Sequence, residues 1–169
     1  MQNYLKHDPW KIIEDGFYPE YNRISESVFS LGNGKMGQRA NFEEGYSGET
    51  LPGSYVAGIY YPDKTRVGWW KNGYPEYFAK VLNATNWIGI GVTINGETLD
   101  LETAKVDKFY RELNMYEGYL YRSFEATLPN GNSIAVEAKR FCSMVDDETG
   151  AIEYKITPLN FSGTVGLNP

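Results

Sequence analysis

Residues 26–44 read ESVFSLGNGKMGQRANFEE and contain the pattern G-x-G-x-x-G at Gly32, Gly34 and Gly37. In a dinucleotide-binding fold, this pattern follows a strand and opens a helix whose N-terminus meets the pyrophosphate. Residues 27–31 could form the strand, but no apolar helical periodicity follows Gly37, and two glutamates there would repel a phosphate. We therefore predict a tight turn between two strands, where Gly and Asn adopt positive φ.

Length and composition indicate a single β-rich domain. The chain has 169 residues, with 14 Tyr, 8 Phe, 4 Trp and 18 Gly, a mixture that favours strands joined by turns. The net charge of −6 argues against nucleic acid or an anionic membrane as a partner. The single cysteine, the polar start and the lack of an apolar run of about 20 residues lead us to expect a cytoplasmic protein.

The second half of the chain alternates between apolar and polar residues. Asn95-Gly96, between two alternating runs, is a strong hairpin signal. No segment of ten or more residues shows a helical stripe, and residues 77–82 could form one helical turn at most. The pattern predicts an antiparallel β-sandwich of two sheets. Its later strands should contain the alternating sets in residues 109–115, 120–128, 134–144 and 152–156.

Three arginines, Arg111, Arg122 and Arg140, fall on the apolar faces of their predicted strands. A buried guanidinium needs a carboxylate, carbonyl groups or solvent. Two interpretations are open. The arginines are structural and pair with glutamates, or one sheet face is a groove where they meet a neighbouring domain. Arg39 could join either set. The candidate carboxylates for the first interpretation are Glu26, Glu43 and Glu44.

Residues 60–78 lack clean alternation and hold two prolines and many aromatic residues, which predicts a long loop. Its aromatic side chains could fold back onto the sandwich, contact another domain or subunit, or stack on sugar rings. The candidates for carbohydrate or domain-interface contacts are Tyr61, Trp69, Trp70, Tyr74 and Tyr77.

The sequence offers little for nucleophilic or metal catalysis. His7 is the single histidine and lies near the terminus, and Cys142 falls on a buried strand face. No His/Cys cluster suits zinc, and residues 146–148 lack the spacing of a calcium loop. The sequence therefore supports neither nucleophilic nor metal catalysis, and we predict no metal site.

Residues 26–44 resemble the opening motif of glycoside hydrolase family 65, which contains inverting phosphorylases of maltose, trehalose and kojibiose. Maltose-acting members are the most similar. The likeness continues through RELNM at residues 111–115, where Asn114 stands in place of the more usual Asp, and reaches residue 163. Further matching segments are residues 53–60, 121–122, 140–143 and 156–163.

This resemblance implies an N-terminal β-sandwich of the galactose-mutarotase-like kind, longer than this chain, so its last strands would lie beyond residue 169. In this family the general acid and the phosphate site belong to a separate (α/α)6 barrel, so no catalytic residue is carried over and no cofactor is implied. The implied partners are that barrel in the same polypeptide, a disaccharide and a second subunit, with inorganic phosphate as co-substrate. A free-standing carbohydrate-binding module and the N-terminal domain of a family-65 hydrolase remain alternatives. A mutarotase-like enzyme is less favoured, since it would need histidines.

Overall fold

The computed structural model describes residues 4–66 and 73–169, and within them the regular secondary structure is mainly antiparallel strands. This confirms the predicted all-β fold. The elements in chain order are β1 (Leu5–His7), β2 (Lys11–Asp15), a 3-10 turn (Pro19–Tyr21), α1 (Asn22–Val28), β3 (Leu31–Gly32), β4 (Met36–Gln38), β5 (Ser54–Val56), β6 (Tyr60–Lys64), β7 (Tyr77–Val81), β8 (Gly91–Ile94), β9 (Glu97–Thr98), β10 (Lys105–Asn114), β11 (Tyr119–Thr127), β12 (Ser133–Cys142), β13 (Gly150–Pro158) and β14 (Val165–Asn168).

A six-stranded sheet in the order β1-β2-β10-β11-β12-β13 forms the main layer. Two three-stranded sheets, β14-β8-β9 and β3-β4-β5, and the β6-β7 hairpin complete the β-structure of the described residues. Segment 39–46, which follows β4, lies over the main sheet and connects the small sheets through the Ile90 N–H bond to Glu43 O and a parallel bridge between Gly45 and Asp100.

The turns predicted from glycine and asparagine are present. Asn95 and Gly96 have φ values of 51° and 85°, as the tight turn between β8 and β9 requires. Gly34, with φ of 90°, lies in the turn between β3 and β4. The glycine motif therefore joins two antiparallel strands, and β4 starts where a dinucleotide-binding fold would have a helix.

The prediction of a strand at residues 27–31 is wrong. Helix α1 occupies Asn22–Val28, and β3 begins only at Leu31. The buried residues of α1 are Asn22, Ser25 and Glu26, so its inward face is polar and leaves no apolar stripe in the sequence. No helix in the described part of the chain is long and apolar enough to cross a membrane.

The prediction of a long loop over residues 60–78 is also wrong at both ends of this range. There β6 and β7 pair into a hairpin. The helical turn considered for residues 77–82 is strand β7 instead. Both strands lie away from the core, so no burial pattern is imposed on their sequence. Trp69 and Trp70 lie outside the described residues.

The core lies between the inner face of the main sheet and the β14-β8-β9 sheet. Phe109, Phe124 and Val136 of the main sheet pack with Val92 and Ile94 of β8. The alternation ends sooner than predicted. Its last apolar members, Met115 and Met144, lie beyond the ends of β10 and β12 and are exposed.

Candidate functional site

The three arginines of β10, β11 and β12 lie on the inner face of the main sheet. Side chains two residues apart on a strand share a face, so Arg122 lies between the buried residues Leu120 and Phe124. Arg111 is the cross-strand neighbour of Arg122, and Arg140 is diagonal to it. All three side chains are almost completely buried.

Glu43 and Glu44 meet these arginines from the overlying segment 39–46. Arg122 donates to Glu43 Oε2 at 2.5 Å and to both oxygens of Glu44 at 2.5 and 2.6 Å. Arg140 donates to Glu43 Oε1 at 2.5 Å, so Glu43 bridges two guanidinium groups. Tyr154 of β13 donates to Glu44 Oε2 at 3.0 Å. Every oxygen of the two carboxylates is therefore hydrogen-bonded.

The backbone of the same segment accepts further bonds. Arg140 donates to the carbonyls of Asn41 and Arg39 at 2.9 and 3.1 Å, and Arg111 donates to the carbonyl of Ala40 at 3.3 Å. The network thus fixes both the main chain and the side chains of segment 39–46 against the sheet.

Arg111 differs from the other two arginines in its ion-pair partner. Its ion-pair partner is Glu14 of β2, at 3.0 Å, which was not among the carboxylates predicted from the sequence. Its guanidinium carbon also lies 5.3–5.4 Å from the ring centres of Phe29, Phe42 and Phe109, within the range of cation–π interactions. Glu14 lies beside Arg111 in the sheet register, a pairing that the sequence alone does not reveal.

The two carboxylate environments shift pKa in opposite directions. Burial alone would raise the pKa of Glu43, but Arg140 and Arg122 outweigh it and hold this pKa below its ordinary value of 4.5. Burial raises the pKa of Glu14 above 4.5, because Arg111 offsets only part of the desolvation. Glu43 is therefore a charged structural anchor, unsuited to donate a proton at neutral pH.

Arg39 lies at the rim of this network. Its Nε donates to Leu51 O at 2.8 Å and its Nη2 donates to Arg23 O at 3.1 Å. The same nitrogen lies 3.8 Å from Glu26, which in turn accepts bonds from Thr50 Oγ1 and Leu51 N. Arg39 thus joins the helix region to the turn before β5.

The β6-β7 hairpin presents two chemically different faces. Its register places Tyr60 opposite Val81, Pro62 opposite Ala79 and Lys64 opposite Tyr77. Because cross-strand neighbours share a face, these residues form one mainly apolar side, which we call the apolar hairpin face. Tyr60, Val81 and Tyr77 remain 58%, 65% and 52% exposed, so the hairpin does not fold back onto the described core.

The other side of the hairpin carries Tyr61, Asp63, Phe78 and Lys80, with Asp63 and Lys80 3.7 Å apart. The candidates Tyr61 and Tyr77 therefore lie on opposite faces. Tyr74 packs edge-on against Phe78, with ring centres 6.0 Å apart. The structure brings Tyr74 and Phe78 together and separates Tyr61 from Tyr77.

The glycine motif has a structural use that depends on Asn33. Its Nδ2 donates to the carbonyls of Ser143 and Asp147 at 2.7 and 2.9 Å, and its Oδ1 accepts from the N–H groups of Lys35 and Met36. The turn between β3 and β4 is thereby attached to the turn between β12 and β13. Within residues 4–66 and 73–169, no group of three or more His, Cys, Asp or Glu is arranged to hold a metal ion.

A cleft of about 520 Å³, which the sequence analysis did not identify, opens between the small sheets. The cleft is lined by residues of β4, β5 and segment 39–46, by the loop that precedes β8, and by the first residue of β8. Most of its polar side chains are uncharged. They include the amides of Gln38, Asn83 and Asn86, and the charged lining residues are Glu43 and Glu44.

Comparison with known proteins gives a consistent result. Residues 12–169 match the family model described as the N-terminal domain of glycosyl hydrolase family 65. The chain is 46% identical over 168 residues to a maltose phosphorylase of Bacillus subtilis, covering 99% of this chain and 22% of that protein. It is 34% identical over 167 residues to a kojibiose phosphorylase of Thermoanaerobacter brockii, covering 99% of this chain and 20% of the relative.

A solved structure gives the same picture. A protein from the human microbiome, assigned as a kojibiose phosphorylase, superposes with a TM-score of 0.79 and 32% sequence identity. The match covers 92% of this chain and 20% of that one. The chain thus spans about a fifth of the length of each of these three proteins.

Proposed function

The chain belongs to glycosyl hydrolase family 65, and from this membership we propose that it is the non-catalytic N-terminal domain of a disaccharide phosphorylase. The whole protein would cleave maltose or a related α-glucoside with inorganic phosphate, inverting the anomeric centre to give β-glucose 1-phosphate and glucose. The observation that carries the choice of maltose is the high identity with the Bacillus subtilis maltose phosphorylase.

The buried carboxylates support a structural role for this domain. Glycoside cleavage generally needs one carboxyl group that can give up a proton and a second group to act on the sugar. Glu43 and Glu44 are adjacent, but arginine donors occupy their oxygens and the low pKa of Glu43 keeps it ionised. Such a pair is better suited to hold two layers of the domain together than to act as a catalytic acid.

The apolar hairpin face supports a docking role. A two-stranded hairpin is at best marginally stable alone in water, and large exposed apolar surface is a common mark of an interface. We assign this face to contact with the catalytic barrel of the same polypeptide, since the matched relatives are about five times longer than this chain. A cytoplasmic location and a homodimer of the whole protein belong to the same proposal.

An assay of phosphate-dependent glucose 1-phosphate release from maltose tests this division of labour. The 169-residue chain should give no product, whereas the full-length protein should give product only when phosphate is added. Turnover by the 169-residue chain would contradict the non-catalytic role. Product formation by the full-length protein without phosphate would identify a hydrolase instead.

A further inference from the structure

The cleft between the small sheets has the size and chemistry of a small-molecule site. Its volume of about 520 Å³ lies within the range of roughly 300–1,000 Å³ that is usual for such sites. We propose that it binds a neutral, hydroxyl-rich molecule of the size of a mono- or disaccharide. This goes beyond the scaffold role, which neither requires nor supplies a ligand on this domain.

The charge balance of the cleft favours a neutral ligand. Glu43 and Glu44 are its charged lining residues, and Arg140 and Arg122 bind all four of their oxygens. Two carboxylates against two guanidinium groups leave no net charge beneath the cleft. An ionic ligand would lose hydration there without gaining a counter-charge, whereas a hydroxyl-bearing one would not meet that cost.

Several amide groups around the cleft retain hydrogen-bonding capacity. Asn83 and Asn86 are exposed; Asn86 makes no side-chain hydrogen bond within the described residues, and Asn83 uses only its Oδ1, which accepts from Ser54 N. Gln38 is 3% exposed, donates through Nε2 to Arg39 O, and has no donor for its Oε1. An amide offers both donors and an acceptor, which matches the dual character of a hydroxyl group.

Apolar side chains form the remaining wall. Phe42, Tyr46, Pro52 and Ile90 line the cleft between these amides. Apolar walls with a few convergent polar groups are typical of small-molecule sites, and a sugar ring presents both C–H surface and hydroxyls. The lining therefore fits a saccharide better than an anion, a cation or a purely apolar molecule.

Titration of the ¹⁵N-labelled 169-residue chain with maltose and, separately, glucose tests the proposal. Saturable shifts of the cleft amides of Gly53, Gly89 and Gly91 are expected below about 100 mM sugar. Asn86→Ala should weaken binding about fivefold through loss of one hydrogen bond, and Ala84→Trp should abolish it by filling the cleft. Asn132→Ala, in the turn before β12, is the matched control and should bind like the wild type.

Absence of saturable shifts with both sugars would overturn the proposal. So would shifts confined to the β6-β7 hairpin, or equal affinity of wild type and Asn86→Ala with the native spectrum retained. The phosphorylase assay is independent of these outcomes. Failure of sugar binding here therefore leaves the scaffold role standing, and product release by this chain would refute that role alone.

Discussion

Arg111 and Arg122 lie directly opposite each other on β10 and β11, so two like charges share one buried position in the sheet. Like charges in cross-strand pairs destabilise a sheet unless groups of opposite charge neutralise them. Here Glu14 neutralises Arg111 from β2, and Glu43 and Glu44 neutralise Arg122 from the overlying segment. The arrangement is stable only when carboxylates reach the arginines from both sides.

Removal of Arg122 should be strongly destabilising. Arg122→Met leaves Glu43 and Glu44 buried beside each other with Arg140 as their remaining guanidinium neighbour, and we expect a loss of about 3–5 kcal/mol in unfolding free energy. Urea unfolding measures the change. Lys105→Met, at an exposed ion pair, is the control and should cost under about 1 kcal/mol.

A compensating variant sharpens this prediction. Adding Glu44→Gln to Arg122→Met removes the carboxylate left without an arginine and keeps the pairing of Glu43 with Arg140, so part of the lost stability should return. A melting temperature unaffected by Arg122→Met would show that the ion pairs do not support the fold.

The two buried glutamates should give opposite pH dependences. The lowered pKa of Glu43 means that the unfolded chain binds more protons, so its contribution to stability is present above pH 4.5 and is lost as pH falls through the folded pKa. The raised pKa of Glu14 means that the folded chain binds more protons. Its contribution is therefore fully present below pH 4.5 and is lost as pH rises through its folded pKa.

Comparison of Glu43→Gln and Glu14→Gln with the wild type measures these signs. Wild-type stability relative to Glu43→Gln should increase with pH in the acid range, and stability relative to Glu14→Gln should decrease with pH above 4.5. Chemical unfolding at a series of pH values gives both differences. The same slope for the two variants would contradict the assigned environments.

Asn33→Ala should loosen the attachment between two distant turns. The substitution removes four side-chain hydrogen bonds, two of them to carbonyls near residue 145, and we expect a cost of about 2 kcal/mol. Hydrogen exchange should rise at Ser143 and Thr149, whose backbones pair in the second turn. Exchange that rises only at residues 33–36 would show that the attachment does not stabilise the distant turn.

The apolar hairpin face should matter only when a partner covers it. Val81→Asp should change the stability of the 169-residue chain by less than about 1 kcal/mol, because Val81 is 65% exposed. In the full-length protein it should cost about 2 kcal/mol or more through burial of a charge. Tyr61→Asp, on the opposite face, is the matched control, and equal effects of the two variants would argue against docking through the apolar face.

Local sequence signals predicted the turns and four of the six main-sheet strands, β10 to β13, well. Asn95-Gly96 adopts positive φ, and the alternation predicted for residues 120–128 matches the buried residues of β11 and the buried Leu128 just after it. A strand that is buried on one face has apolar residues at every second position, so its sequence pattern predicts it.

The sequence pattern did not predict elements that bury a polar face or bury no face at all. Helix α1 buries Asn22 and Glu26, and the β6-β7 hairpin buries neither face, so apolar periodicity cannot reveal them. The position of Arg122 on an apolar strand face did predict a buried carboxylate partner for its guanidinium group. The pairing of Arg111 with Glu14 depends on strand order in the sheet, which brings residues 97 positions apart together and leaves no local trace.

The carboxylates of segment 39–46 allow only one alignment of that segment on the sheet. A slip of one residue would place either Phe42 or Gly45 where a carboxylate now meets the arginines, leaving a buried guanidinium charge with fewer partners. Apolar contacts alone would tolerate neighbouring alignments with a modest change in energy. Ionic contacts at this position therefore select one alignment of the two layers more sharply than apolar packing would.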